Sequence, residues 1–384
     1  MSASARVILA AASIIDAKTM VILDESSYIK GPKAERTKWI TEISRVARYR
    51  MILTGTPISQ GVEDLFTQFV FLDKRIVGRP NFYSFAESYI VYDKKRPGMI
   101  IGSKNMDELS ARLAPFSYQV TKAECMDIPR KSRAARLFEL TADQERAYQR
   151  VKAEFEEALA QIWEEEADRP DPPGRKLSPL ESEKRREWIT EKRTSIEIFR
   201  MFSRLQQVTC GFLGEERLAS NRLEALADVV GRIPEEEKVI VWTKYRAVLD
   251  DLVATLEPFG AVATFHGGLN ERERNEQLQR FRGDARFLVA TTLCGGHGLT
   301  LNEAARVIFY NNEFKYSTRA QAEDRCHRYG QDRSVLYIDL VARKSIDERI
   351  MEAIDQKKNV ARMFQERIQK VRDKTKLKEA LAAL

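Results

Sequence analysis

Metal-ligating and disulfide chemistry have little to work with in this chain, whose 384 residues hold three histidines and four cysteines. Cys125, Cys210, Cys294 and Cys326 are scattered without metal-ligand spacing, and the histidines are equally dispersed, so neither a zinc site nor a disulfide scaffold is expected. Reduced thiols in a cytoplasm are the simplest expectation. No window approaches the roughly eighteen apolar residues of a membrane span, so no membrane partner is expected. The opening run ARVILAAASIID has one Arg, a short apolar stretch and no clear cleavage pattern, so it is not expected to be a signal peptide. Glycine is missing where a phosphate loop would need it. None precedes Gly31, and DAKT (16–19) ends in Lys-Thr with no glycine for the turn and no room upstream for a strand.

What is present is ordinary in bulk. Apolar residues make up 43%, and the length allows two or three domains with real cores. Sixty-four Lys and Arg against 57 Asp and Glu give a net charge of +7. That balance suits a polyanionic partner, and equally a set of solvated lysine faces.

The texture changes along the chain. Residues 1–75 show short apolar runs that predict strands (VILAAASII, MVILDE, YRMILTGT), with a helical stretch around 34–47. Residues 76–216 are charged and helical, without strand rhythm. There Tyr148, Val151, Phe155, Leu159 and Ile162 recur at three- and four-residue steps and mark one apolar helix face. DRPDPPGRKLSP (168–179) reads as a loop, and Ser182–Gln207 as a second helix. From 217 to 344 apolar strands return at KVIVWT, AVATFH, RFLVATT, RVIFYNN and VLYIDLVA, separated mostly by helical patterns. This predicts an α/β fold with a parallel sheet covered on both faces. Residues 345–384 read as one amphipathic helix or two, core-capping or in contact with phosphates.

In such a sheet, ligands sit beyond the carboxyl ends of the strands. Asp24 and Glu25 close the run MVILDE at that place. Adjacent carboxylates there suit a division of labour, in which one anchors Mg²⁺ through its water shell and the other orients or deprotonates an attacking water. Exposed loop acids are the plain alternative. MILTGTPISQG (51–61) ends a neighbouring strand in Thr54, Gly55, Thr56 and Pro57, whose hydroxyls could bond the carboxylates or merely cap a turn. Farther on, LCGGHGLTLNEAA clusters Gly295, Gly296 and Gly298, which let backbone amides approach a phosphate. STRAQAEDRCHRYGQ (317–331) then spaces Gln321, Arg325 and Arg328 at i, i+4 and i+7, which predicts one helical face. That face is a solvated surface or a set of charge donors to a phosphoryl group.

Taken in order, VILDESSYIK, MILTGTPIS, KVIVWTKY, ATTLCGGHGLTLNEAARVIFYNNEF and QAEDRCHRYGQ resemble consecutive motifs of superfamily two helicase-like ATPases. The resemblance is to the Swi/Snf chromatin-remodeller type and its bacterial and phage relatives, and it covers nearly the whole chain. It implies two RecA-like lobes that use ATP with Mg²⁺ and track along duplex DNA, in the cytoplasm of a bacterial or phage-infected cell. By the same resemblance, Asp24 and Glu25 are the magnesium and water-activating pair, and Thr54 and Thr56 the coupling motif. Arg325 and Arg328 are the arginines that reach the triphosphate, with Gln321, Gly296 and Gly298 as further nucleotide contacts. Thr243, His266, Gly267, Thr291 and Thr292 are implied near the DNA backbone. Two departures stand out. YNNEFKYS replaces the usual Asp and Trp-Asn-Pro, and Gln119 in PFSYQVTKAE stands where a basic residue is common.

The resemblance implies a partial first lobe (1–75), a helical insertion (76–216), a second lobe (217–344) and a helical extension (345–384). The adenine- and phosphate-binding part of the first lobe is expected ahead of Met1, the chain being a C-terminal fragment, a shortened gene product, or one half of a split enzyme with an upstream polypeptide as its partner. A non-catalytic nucleic-acid-binding or regulatory module is the other reading of the same features. A sheet short of strands should leave apolar faces and an edge open in residues 1–75. On the enzyme reading, the purified 384-residue chain alone is expected to show negligible DNA-stimulated ATPase. Robust turnover that disappears in Glu25→Gln would contradict this.

Overall fold

The computed structural model of the chain describes residues 5–58, 61–92, 100–120, 122–125, 127–167, 170–171, 177–294, 299–356 and 381. They fall into two compact units, 1–124 and 125–384. Among the described residues no helix is long and apolar enough to cross a membrane.

The first unit opens with a helix, α1 (Ala5–Ile14), where VILAAASII predicts a strand. Three consecutive alanines, Ala10 to Ala12, have the highest helix propensity and favour the helix. The strands β1 (Met20–Leu23) and β2 (Tyr49–Ile52) pair in parallel, joined through α2 (Glu35–Ile43). Met20 lies opposite Tyr49, and Leu23 opposite Ile52. Two strands cannot cover their own faces. Ile22 is 54% and Tyr49 56% exposed, so β1 is open to solvent and not a buried strand. The rest of this unit has its own core. Helices α3 (Glu63–Leu72), α4 (Lys74–Val77), α5 (Phe82–Tyr89) and α6 (Met106–Leu113) pack with the antiparallel strands β3 (Ile90–Tyr92) and β4 (Ile100–Ser103). Phe66, Phe85, Tyr89 and Leu109 are buried at its centre. The boundary between the units falls within the short helix α7 (Lys122–Cys125).

The second unit is built on β5 (Lys131–Phe138), β8 (Val239–Thr243), β9 (Val262–Phe265), β10 (Phe287–Thr291), β11 (Arg306–Phe309) and β12 (Val335–Ala342). The two remaining strands, β6 (Phe212–Leu213) and β7 (Glu216–Arg217), form a small separate hairpin. The six run parallel in the order β5-β12-β11-β8-β10-β9. Every residue of β8 and β10 is buried, as expected for central strands covered on both faces. One face carries α10 (Asn221–Val230) and α11 (Leu249–Leu256); the other carries α12 (Glu271–Arg282) and α13 (Tyr316–Glu323).

The edge strand β5 lies in a stretch that shows no strand rhythm. Its residues KSRAARL are exposed and carry three cations, so no apolar alternation marks it. Charge on an edge strand discourages further pairing. It is held in place across eight residue pairs with β12 and by Lys131 and Arg133, which reach the Glu323 carboxylate at 2.9 and 2.7 Å.

The helices α8 (Ala142–Ala167) and α9 (Pro179–Thr209) form a hairpin that packs with α14 (Ile346–Asp355). Tyr148, Val151, Phe155, Leu159 and Ile162 are all buried there, as their spacing predicts. A capping box between Ser178 and Glu181 starts α9. Its far end is tied down by Arg222, which is fully buried. Arg222 Nε donates to Thr209 O at 2.9 Å, one Nη donates to Thr209 Oγ1 at 3.0 Å, and the guanidinium pairs with Asp347 at the start of α14.

Removing one partner of a buried pair leaves the other charge uncompensated, at a cost of about 3–5 kcal/mol. Arg222→Met is therefore expected to lower the unfolding free energy of the second unit by about that amount in a denaturant titration. A loss below about 1 kcal/mol would mean the pair contributes little beyond packing.

Candidate functional site

The chemistry-bearing residues of the first unit collect where β1 and β2 end. The ladder continues past both strands: Leu53 N donates to Leu23 O at 2.9 Å and Ser26 N to Leu53 O at 3.0 Å. Between these bonds the chain makes a sharp turn, with Glu25 in the left-handed region at φ +50°. A non-glycine residue there is strained, typically by about 1–3 kcal/mol, and such strain is concentrated at functional sites. Asp24 Oδ1 accepts from Glu25 N at 2.8 Å, and the Asp24 side chain is exposed. On the neighbouring tip, Thr54 Oγ1 accepts from Thr56 N at 3.1 Å. Asp24, Glu25, Thr54 and Thr56 thus sit on two adjacent strand ends.

One exposed carboxylate suits Mg²⁺, which keeps several waters and takes other ligands from phosphates. A dedicated protein cage would need more donors, and no group of three His, Cys, Asp or Glu residues that could hold a metal occurs among the described residues.

In the second unit, Thr243 and Thr291 lie opposite each other at the ends of β8 and β10. Thr243 is fully buried and its hydroxyl bonds Asn311 Oδ1 at 3.3 Å. Thr292 N donates to Thr243 O at 3.0 Å, while Thr292 Oγ1 donates to Glu313 Oε1 at 3.0 Å. His266 follows β9 at the same edge. Gly268 N donates to His266 Nδ1 at 3.1 Å, and Arg274 Nε donates to His266 O at 3.3 Å. Burial, then Arg246 and Arg274, hold the imidazole below its ordinary pKa, against a weaker pull from Asp250 and Glu273. A Cβ at Gly267 would come within 3.5 Å of Cys294 Sγ, so the loops after β9 and β10 lie close together. The structure therefore brings Thr243, His266, Gly267, Thr291 and Thr292 to one edge of the sheet. Gly296 and Gly298 lie outside the described residues.

The arginines are placed differently from the helical-face expectation. α13 stops at Glu323, so it carries Gln321 but neither Arg325 nor Arg328. Side chains at its end tie it to the sheet. Arg319 Nε donates to Glu323 Oε1 at 2.9 Å, the Arg319 guanidinium pairs with Asp339 and stacks on Phe309, and all four residues are buried. Tyr337 Oη donates to the Glu323 carbonyl at 2.8 Å. Burial alone would raise the Glu323 carboxyl, but Arg319, Lys131 and Arg133 outweigh it and hold it below the usual carboxylate range. Beyond the helix the chain turns back on residues 299–304. Leu301 N donates to Arg325 O at 3.0 Å, and Arg328 Nη1 donates to Leu299 O at 3.3 Å. Gln331 Nε2 bonds the carbonyls of Asn302, Ala304 and Cys326 and fixes the turn.

Four residues escaped the sequence reading. Gln68, Lys244, Asn311 and Glu313 all contact the strand tips. Lys244 and Glu313 directly follow predicted strands and Asn311 lies near the end of one, so position alone could have found them; Gln68 lies inside a helix and carries no such signal. Lys244 N donates to Asn311 Oδ1 at 2.7 Å, and Lys244 Nζ donates to Gln206 Oε1 at 3.0 Å while lying 3.6 Å from the Phe314 ring centre.

Comparison with known families places this arrangement. The model of the helicase conserved C-terminal domain matches residues 221–330, from α10 through the arginine segment. That match makes the α/β sheet of the second unit similar to a helicase C-terminal domain. The SNF2-related domain matches residues 8–210, more than half of the chain, and the chain belongs to the SNF2-related family.

It is 26% identical over 359 residues to a SWI/SNF-related matrix-associated actin-dependent regulator of chromatin subfamily A-like protein 1 homolog of Caenorhabditis elegans. The match covers 88% of this chain and 45% of that protein. To an uncharacterized ATP-dependent helicase of Mycoplasma genitalium it is 23% identical over 351 residues, covering 89% of this chain and 30% of the relative. The chain thus spans less than half the length of these curated relatives. Among solved structures, the Sulfolobus solfataricus SWI2/SNF2 ATPase core in complex with dsDNA aligns over 98% of this chain and 75% of that one, at 22% identity and a TM-score of 0.43.

Lys244 offers a direct probe of the strand-tip environment. Burial pushes its pKa down from 10.5 to about 8, and Glu313 restores only part of the loss. Between those values the unfolded chain binds more protons than the folded one, so stability rises with pH. The rise is expected from about pH 8 to pH 10.5 in urea titrations, at no more than about 1.4 kcal/mol per pH unit. Lys244→Met should remove that increment, and an unchanged slope would contradict the assignment.

Proposed function

We propose that the chain is the acid- and arginine-bearing part of an ATP-dependent DNA translocase of the Swi/Snf type. The observation that carries this reading is that Asp24, Glu25, Thr54 and Thr56 share one pair of parallel strand ends, behind a strained Glu25 backbone. In this reading Asp24 would hold Mg²⁺ through its water shell, and Glu25 accepts the proton of the attacking water. Mg²⁺, when bound, neutralises charge developing on the phosphoryl oxygens. Arg325 and Arg328 place positive charge on the transferred phosphoryl group, with Gln321, Gly296 and Gly298 as further nucleotide contacts. His266, Gly267, Thr291, Thr292 and Thr243 form or support the strand-tip surface that follows the backbone of duplex DNA. Residues 1–75 and 217–344 are the functional cores of the two lobes, 76–216 is the insertion apart from β5, which completes the second lobe's sheet, and 345–384 is the extension.

Phosphate cradling is assigned to a further partner, a polypeptide segment with a glycine-rich loop ending in Gly-Lys-Thr, because the 384 residues contain no Gly-Lys pair. The same observation favours the second reading, a regulatory or nucleic-acid-binding module that does not hydrolyse ATP. None of the four cysteines is in a disulfide, which suits the reducing cytoplasm of a bacterial or phage-infected cell.

Two assays separate the readings. Duplex DNA binding should weaken with salt, with a log–log slope of about −0.9 per phosphate contacted. A slope near zero would remove DNA from both. With the glycine-rich segment supplied, DNA-stimulated ATPase should appear, and Arg328→Ala should lower it by roughly 10³-fold or more. DNA binding with no ATPase under that condition would leave the regulatory module.

A further inference from the structure

Gln68 sits in the middle of α3 with no side-chain exposure, among the buried residues Leu65, Phe66 and Phe69. An apolar residue would be the inexpensive choice there, because a buried amide left unbonded costs about 1–3 kcal/mol. This amide is fully used. Gln68 Oε1 accepts from Ser26 Oγ at 2.7 Å, and Nε2 donates to Pro57 O at 2.8 Å and to Asp64 O at 2.6 Å. Only the Asp64 bond lies within the helix. The other two reach the two strand tips: Ser26 directly follows Glu25, and Pro57 directly follows Thr56. Ser26 is also fully buried.

We propose that Gln68 is a positioning residue that makes the Asp24-Glu25 loop and the Thr54-Thr56 turn move as one. The carboxamide is planar and rigid, with its acceptor and donor ends held at opposite loops. A shift of Ser26 drags Oε1, rotates the amide about its single bond to the side-chain stem, and carries Nε2 away from the Pro57 carbonyl. The reverse holds for a shift of the threonine turn. The backbone link between these loops, Ser26 N to Leu53 O, ends before Thr54. Gln68 therefore extends the connection to the hydroxyls. In an ATPase this sets the threonine turn according to whether the carboxylates hold a hydrolysable or a spent nucleotide. The inference rests on the proposed roles of the four residues, but the coupling is measurable without ATP, so failure of one is distinguishable from failure of the other.

Hydrogen–deuterium exchange on the full chain tests it, following peptides over 20–29 and 51–58 with 106–113 as the control. In Gln68→Met, which keeps the volume and loses the bonds, both loops should exchange roughly tenfold faster or more, with 106–113 unchanged. Gln68→Glu keeps the acceptor for Ser26 and loses the donor for Pro57, so 20–29 should accelerate along with 51–58 although its own bond is kept. Ser26→Ala should accelerate 51–58 in the wild-type chain and add nothing further in Gln68→Met. The proposal is overturned if Ser26→Ala leaves 51–58 unchanged, or if its effect adds fully to that of Gln68→Met. Should Gln68→Met loosen 106–113 as well, Gln68→Glu decides: acceleration of 20–29 together with 51–58, with 106–113 unchanged, supports coupling, and acceleration confined to 51–58 refutes it.

Discussion

A parallel strand covered on both faces has nowhere along its length to put a polar side chain, so polar chemistry is forced to its ends. The central strands β8 and β10 of the second unit obey this; Asp339 inside β12 is the buried exception, paired with Arg319. β8 and β10 are buried at every residue, and hydroxyls, amides and charges begin at Thr243, Thr291 and the segment after Phe309. The first unit follows the same geometry with a single pair of parallel strands among its described residues. Its carboxylates and threonines still lie on neighbouring tips, because parallel pairing puts both carboxyl ends on the same side.

The same constraint explains what could be read from the amino-acid order. Five strands of the second unit are continuous apolar runs, and α8 repeats its apolar residues at helical steps, so burial is written directly into both. β5 is exposed and cationic, and nothing local distinguishes it from a charged loop; only β12 and Glu323 make it a strand. α1 contains apolar residues that suit either state, and its alanines decide the matter. α13 ends at Glu323, before Arg325 and Arg328, so helical spacing alone carried the predicted face of Gln321, Arg325 and Arg328 too far.

Buried charge is the second theme of the larger unit. Arg222 and Arg319 each lie in the interior with an aspartate and with carbonyl, amide or carboxylate oxygens around them. Desolvating a guanidinium is costly, so such groups persist only when each donor is matched. Both bind different elements at the strand tips: Arg222 joins α9, α10 and α14, and Arg319 joins α13 to β11 and β12. The departure YNNEFKYS belongs to this lattice. Asn311 bonds Thr243 and Lys244, Asn312 bonds Asp339 and Arg319, and Phe314 faces Lys244. Residues at a site of proposed chemistry thereby double as the frame that orients it.

Central to the proposed function are acids and arginines, distant in sequence, that act on a single phosphoryl transfer. Groups that work as a unit are non-additive when removed together, whereas independent contributions multiply. The direct measurement is the turnover number, with DNA and the glycine-rich segment supplied, for Glu25→Gln, Arg325→Ala and the double variant. Each single change is predicted to lose most of the activity, and the double to lose little more than the worse single. Full multiplication of the two losses, or normal turnover in either single variant, would contradict a shared transfer step.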